Sequence, residues 1–192
     1  MIKTFLKDNH ISSSEDLLLW MSDNIEYGFV GSDRKRYTEI DFDDTKTPID
    51  FYHKYRLQSP KQLIDSKLGV CWDCAELERA CFKEMGYQFD IYYLELMDKV
   101  TSTHTFLTYW HKSKLYWFES SYFDKRGIHG PYRSRVEIFE ELHLSLNKED
   151  SAVGITAYTL STIPKYGSSC RQYMSVVKAH KPIWEVIVPI ID

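Results

Sequence analysis

From Gly69 to Gly86, apolar residues at Cys71, Cys74, Ala75, Cys81, Phe82 and Met85 recur at close to helical spacing, and Gly86 supplies a C-terminal stop. This pattern predicts a buried helix. Upstream, "ISSSEDLLLWMSDNIEYG" sets Ser and acidic residues before Leu17 to Met21 and predicts a capped helix from about Ser14 to Ile25. In "SPKQLIDS", Ser59 can cap a second short helix and Pro60 suits its first position. Residues 30–48 are polar without clear period and read as an irregular connection.

Downstream of Gly86 the period changes to that of strands. "YQFDIYYLEL", "STHTFLTYW" and "KLYWFESS" read as three strands, with "HKSK" as a hairpin loop between the last two. A helix is predicted over "SRVEIFEELHLSL" from about Ser134, and "IWEVIVPIID" closes the chain as a strand. Helices followed by a strand meander imply an α+β fold, an antiparallel sheet packed on the cysteine helix, and disfavour a doubly wound one.

The 192 residues suit a single domain, 1–192. With 43% hydrophobic and 15% aromatic residues there is material for a core, which argues against disorder. A net charge of −4 with scattered basic residues leaves no footprint for nucleic acid. The basic run "DRKRY" at 33–37 is followed by "DFDD" at 41–44, which largely neutralises it. No secretory signal and no membrane-length apolar run is visible, so the expectation is a cytoplasmic protein with no membrane partner and its cysteines as thiols.

Three of the four cysteines fall within "CWDCAELERAC". A redox C-x-x-C pair is expected after a buried strand of a thioredoxin-like unit, whereas the segment before Cys71 is polar and helical in pattern. Zinc needs four ligands. Cys71 and Cys74 supply two, but His104 and His111 have six residues between them and straddle a predicted strand, and the H-x-E of a deaminase is missing. No metal or other cofactor is expected. A single nucleophile fits a thiol in the first turn of a helix, provided that a His and a carboxylate stand behind it.

The hairpin offers both. With an even-length loop, Trp110 faces Leu115 and the register carries Phe106 opposite Glu119. His104, Phe106 and Glu119 then share a face, with His104 and Glu119 as diagonal neighbours roughly 7 to 8 Å apart at the backbone. A three-residue loop would reverse Glu119.

"GVCWDCA", "THTFLTYW" and "YWFESSY", in that order, resemble the transglutaminase-like superfamily over about residues 59–121. Its papain-like fold carries a G-x-C-x-x-x-A helix start, a strand His, and an acidic residue fifteen positions later, which is the separation of Glu119 from His104. The resemblance implies Cys71 as nucleophile, His104 as general base and acid, and Glu119 as the residue that orients the imidazole. Two positions depart from the pattern: Glu119 stands where Asp is usual, and Cys74, read as helix packing, where an aromatic is common.

The implied reaction is acyl transfer from an amide or ester, with a peptide, protein or small amide as substrate. The backbone N–H of Cys71 is the first oxyanion donor. Papain-like proteases hold a Gln six residues before the cysteine, where this chain has Asp65, and Gln62 is the remaining candidate for the second donor. Trp72 is expected under the site, Asp73 as an acid favouring the helix dipole, Cys81 and Cys170 (in loop-like "YGSSC") as structural, His111 at a solvent-exposed hairpin tip, and Tyr122, Tyr132 and Tyr158 as candidate cleft walls. An inactive binding module on the same fold and a dithiol redox protein remain open as alternatives.

Overall fold

The computed structural model describes residues 1–40, 46–97, 102–146 and 154–186. In chain order the elements are α1 (Ile2–Asp8), α2 (Ser14–Asn24), β1 (Glu26–Tyr27), β2 (Phe29–Val30), β3 (Arg36–Tyr37), α3 (Lys46–Lys54), α4 (Pro60–Ser66), β4 (Leu68–Gly69) and α5 (Cys71–Glu84). There follow β5 (Gln88–Met97), β6 (Ser102–His111), β7 (Lys114–Glu119), a 3₁₀ turn at Phe123–Lys125, β8 (Gly127–Tyr132), α6 (Arg135–Leu146), β9 (Gly154–Thr159), α7 (Cys170–Lys178) and β10 (Trp184–Val186).

Six strands form one antiparallel sheet in the order β10-β9-β5-β6-β7-β8. Alternation along the strands serves both faces. Ile91, Tyr93, Leu107, Tyr109 and Phe118 join the core that contains α5, together with residues of α1, α2 and α7. Tyr92, Leu94, Phe106, Leu115 and Trp117 join Ile138, Phe139 and Leu142 of α6 on the other side. The α+β expectation, with the cysteine helix packed on an antiparallel sheet, describes this arrangement.

Local chemistry explains the helix starts. Ser13 accepts from the backbone N–H of Asp16 at 3.1 Å while the Asp16 carboxylate accepts from that of Ser13 at 3.0 Å. The same reciprocal cap links Ser59 to Gln62, with Pro60 in the first turn of α4, and Ser169 to Gln172 at α7. The β6–β7 hairpin turns through Lys112 and Ser113, both at positive φ (50° and 61°), with His111 paired to Lys114 and Trp110 to Leu115. This two-residue turn with a matching twist is the even loop that the register argument requires.

Several elements carry no strong sequence signal. The segment 30–48, expected to be irregular, contains the β2–β3 hairpin and the start of α3. Cys170, expected in a loop, is instead the first residue of α7 behind the Ser169 cap. The short acidic run 41–44 and the end of the predicted final strand, 187–192, lie outside the described residues. Among the described residues, no helix is long and apolar enough to cross a membrane.

Candidate active site

The helix α5 begins at Cys71 because Asp73 turns back to close its first turn. One Asp73 oxygen accepts from the backbone N–H of Val70 at 3.1 Å; the other accepts from that of Gln58 at 2.8 Å and from the Tyr55 hydroxyl at 2.9 Å. Asp73 is fully buried, and burial raises its carboxyl to about 7 against the pull of those donors. Besides being an acid in the first turn of the helix, as its position suggests, it is a buried latch joining α5 to the segment before α4. Trp72 lies beneath the site as expected, stacked on Tyr173 of α7 at 4.1 Å and edge-on to Phe51 and Tyr55.

The β6–β7 ladder ends at Leu107 and Phe118, and His104 and Glu119 sit just past it. Across that opening, the His104 Nε2 lies 2.7 Å from Glu119 Oε2. The other carboxylate oxygen, Oε1, accepts from the backbone N–H groups of Ser121 (2.9 Å) and Tyr122 (2.8 Å) and from the Ser121 hydroxyl. The ring of His104 stacks on Phe106 at 5.9 Å and meets Tyr122 edge-on at 5.8 Å. With Nε2 engaged by Glu119, Nδ1 is the ring nitrogen left open, and Cys71 lies close enough to act on the imidazole.

Burial opposes a charged imidazole at His104, but the Glu119 charge, the nearness of the Cys71 side chain and the Glu119 hydrogen bond outweigh it and raise the group to about 10. Burial also opposes the Glu119 carboxylate, and there the His104 charge and the Tyr122 and Ser121 amides prevail, leaving it below its ordinary value. Both shifts describe one ion pair, imidazolium with carboxylate. All three side chains are sheltered: Cys71 is 5%, His104 8% and Glu119 1% exposed.

The other sequence candidates are placed elsewhere. Gln62 is exposed on α4, with its side-chain oxygen accepting from both the backbone N–H and the hydroxyl of Ser59 at 2.8 and 2.9 Å. With that oxygen Gln62 closes the capping box of α4. Of the three tyrosines, Tyr122 borders His104, whereas Tyr132 donates to Glu141 on α6 and Tyr158 is buried against Tyr93. Burial pushes the thiols of Cys81 and Cys170 up to about 12 and about 11, and that of Cys74 well above its ordinary value, with Glu78 and Asp73 adding to the Cys74 shift. His111 is exposed at the hairpin end.

A neighbour that sequence reasoning missed is Tyr27. It pairs with Gly69 across the short parallel β1–β4 ladder, and Gly28 follows in a space where a Cβ would come within 2.4 Å of the Tyr37 carbonyl. Burial, then the proximity of Cys71, Cys74 and Glu119, keeps its phenol well above its ordinary value and hence protonated. No hydrogen bond engages that hydroxyl among the described residues.

No curated protein matches the chain. A family model described as "Transglutaminase-like domain" matches residues 1–115, a span that includes Tyr27, Cys71 and His104 and stops short of Glu119. The chain belongs to the transglutaminase-like family.

Proposed function

We propose that this protein is a cysteine-dependent acyl-transfer enzyme acting on an amide or ester bond of a peptide, protein or small amide. The observation that carries this reading is the buried His104–Glu119 pair, 2.7 Å apart, with Cys71 close by at the start of α5. Glu119 fixes the imidazole with one oxygen on Nε2, which leaves Nδ1 as the nitrogen to take the thiol proton. In the reactive form the Cys71 proton resides on His104. The thiolate attacks the carbonyl carbon and an S–C bond forms. The C–N or C–O bond then breaks as His104 delivers its proton to the leaving group, which yields a thioester. Water or an amine then attacks the thioester carbon and gives its proton to His104. As the new C–O or C–N bond forms the C–S bond breaks, which releases the acid or amide and restores the thiolate–imidazolium pair.

The oxyanion requires donors fixed in advance. Cys71 opens α5, so its own backbone N–H points out of the helix start. The Tyr27 hydroxyl, protonated and beside Cys71, is the second donor in this reading. The environments of Cys74, Cys81 and Cys170 are those of inert thiols, which disfavours a dithiol role for Cys71 and Cys74.

Alkylation with iodoacetamide at about pH 6, where an ordinary thiol is almost wholly protonated, tests the assignment. Mass spectrometry should find Cys71 labelled far faster than Cys81, and the His104→Ala variant should lose that selectivity. Equal labelling of the two cysteines, or a rate indifferent to His104→Ala, would exclude the mechanism. Protection of Cys71 and Cys74 together after mild oxidation would point to redox chemistry instead.

A further inference from the structure

Glu78 is a second buried carboxyl group close to this site for which the acyl-transfer scheme has no use. It lies seven residues after Cys71 on α5, is 3% exposed, and accepts a hydrogen bond from the Ser120 hydroxyl at 2.6 Å. Ser120 stands between Glu119 and the Ser121–Tyr122 amides that hold the Glu119 carboxylate, and its carbonyl accepts from Arg126 Nε at 2.9 Å. Through the Ser120 hydroxyl, Glu78 joins the helix that bears Cys71 directly to the end of β7.

We propose that Glu78 is a positioning residue, whose carboxyl group holds Ser120, and with it the turn that grips Glu119, in fixed register against the helix bearing Cys71. The proposal rests on the acyl-transfer reading for its functional meaning, but its geometry stands apart from it. Burial keeps the proton on Glu78 up to about 8; the Ser120 hydrogen bond pulls the other way and the Glu119 charge adds to the rise. The titratable groups facing it are Glu119 and His104 from the sheet and Glu76, Cys74 and Cys81 from its own helix. Below about pH 8 a neutral carboxyl group therefore accompanies a single carboxylate, Glu119, beside the imidazole. Above it, a second negative charge arises next to Glu119 and holds the proton on His104 more tightly.

The ring nitrogens of His104, followed by ¹⁵N NMR as pH rises, read this coupling whether or not the protein turns over a substrate. The wild type should show an inflection near pH 8 that is separate from His104's own titration, and Glu78→Gln, which keeps an acceptor for Ser120 and cannot ionise, should lack it. Persistence of that inflection in Glu78→Gln, or its absence from the wild type, overturns the proposal. In iodoacetamide alkylation of Cys71, Glu78→Leu should slow labelling by about tenfold, as expected when a reacting pair loses its alignment. Glu78→Gln should recover most of the rate. An unimpaired Glu78→Leu defeats the positioning role, while slow wild-type Cys71 with a normal His104 inflection defeats the acyl-transfer reading alone.

Discussion

At Glu119 the extra methylene relative to aspartate has a geometric use. The side chain folds back so that one oxygen meets His104 and the other meets two amides and a hydroxyl of the following turn. A shorter aspartate would have to surrender one set. Glu119→Gln keeps the shape but removes the charge, so labelling of Cys71 at pH 6 should fall by at least about tenfold through loss of the oriented, protonated imidazole. The stability effect has a defined pH window. His104 is raised, so its contribution is complete below its ordinary 6.5 and fades as pH climbs through about 10. Glu119 is lowered, so its contribution is present above its ordinary 4.5 and is lost as pH falls through its depressed value. The difference in melting temperature between wild type and Glu119→Gln should therefore be widest between pH 4.5 and 6.5 and narrow on either side. A difference that grows toward pH 10 would contradict the ion pair.

At the scale of elements, the β6–β7 hairpin sets where His104 and Glu119 fall, and its turn sets the hairpin. Lys112 and Ser113 both occupy the left-handed region without being glycine or asparagine. Replacing the pair with Asn-Gly, which favours this turn, should stabilise the protein by about 1 kcal/mol in denaturant unfolding and leave Cys71 labelling unchanged. Destabilisation would mean that the turn has a different geometry. The nucleophile helix depends similarly on its supports: the Asp73 latch at its start, Trp72 stacked on α7, and Phe82 packed against Phe118.

On the scale of the whole molecule, the candidate site draws on segments far apart in the chain. The transglutaminase-like match stops at residue 115, yet Glu119, Ser120 and Tyr122 lie beyond it, as do Tyr173 and the strands that flank the sheet centre. Ending the chain at residue 115 would strip β7 from β6 and β9 from β5, and remove α6 from the second core. Such a truncated chain should show neither a cooperative thermal transition by circular dichroism nor selective Cys71 labelling, since the unpaired central strands would expose apolar faces. A cooperative melt would show that the matched span folds by itself.

Local pattern determined much of this protein. Period-two alternation marks β5, β6 and β7, Ser-capped starts mark α2 and α4, and the fifteen-residue step from His104 to Glu119 was readable because hairpin register follows from loop length. Other features depend on residues that meet only after folding. The two-residue strands β1 and β4 have no period to detect, so Tyr27 acquires meaning only when it lies beside Gly69. Likewise, "AELE" reads as an ordinary charged helix face until the sheet closes over Glu78 and sets it against Ser120. Gln62 and Glu78 show the difference in one helix pair: sequence distance from Cys71 suggested a role for the first, whereas burial and a partner 42 positions away assign one to the second. Sequence specifies which groups are present and their local conformation, while burial, charge state and long-range partners are properties of the packed chain.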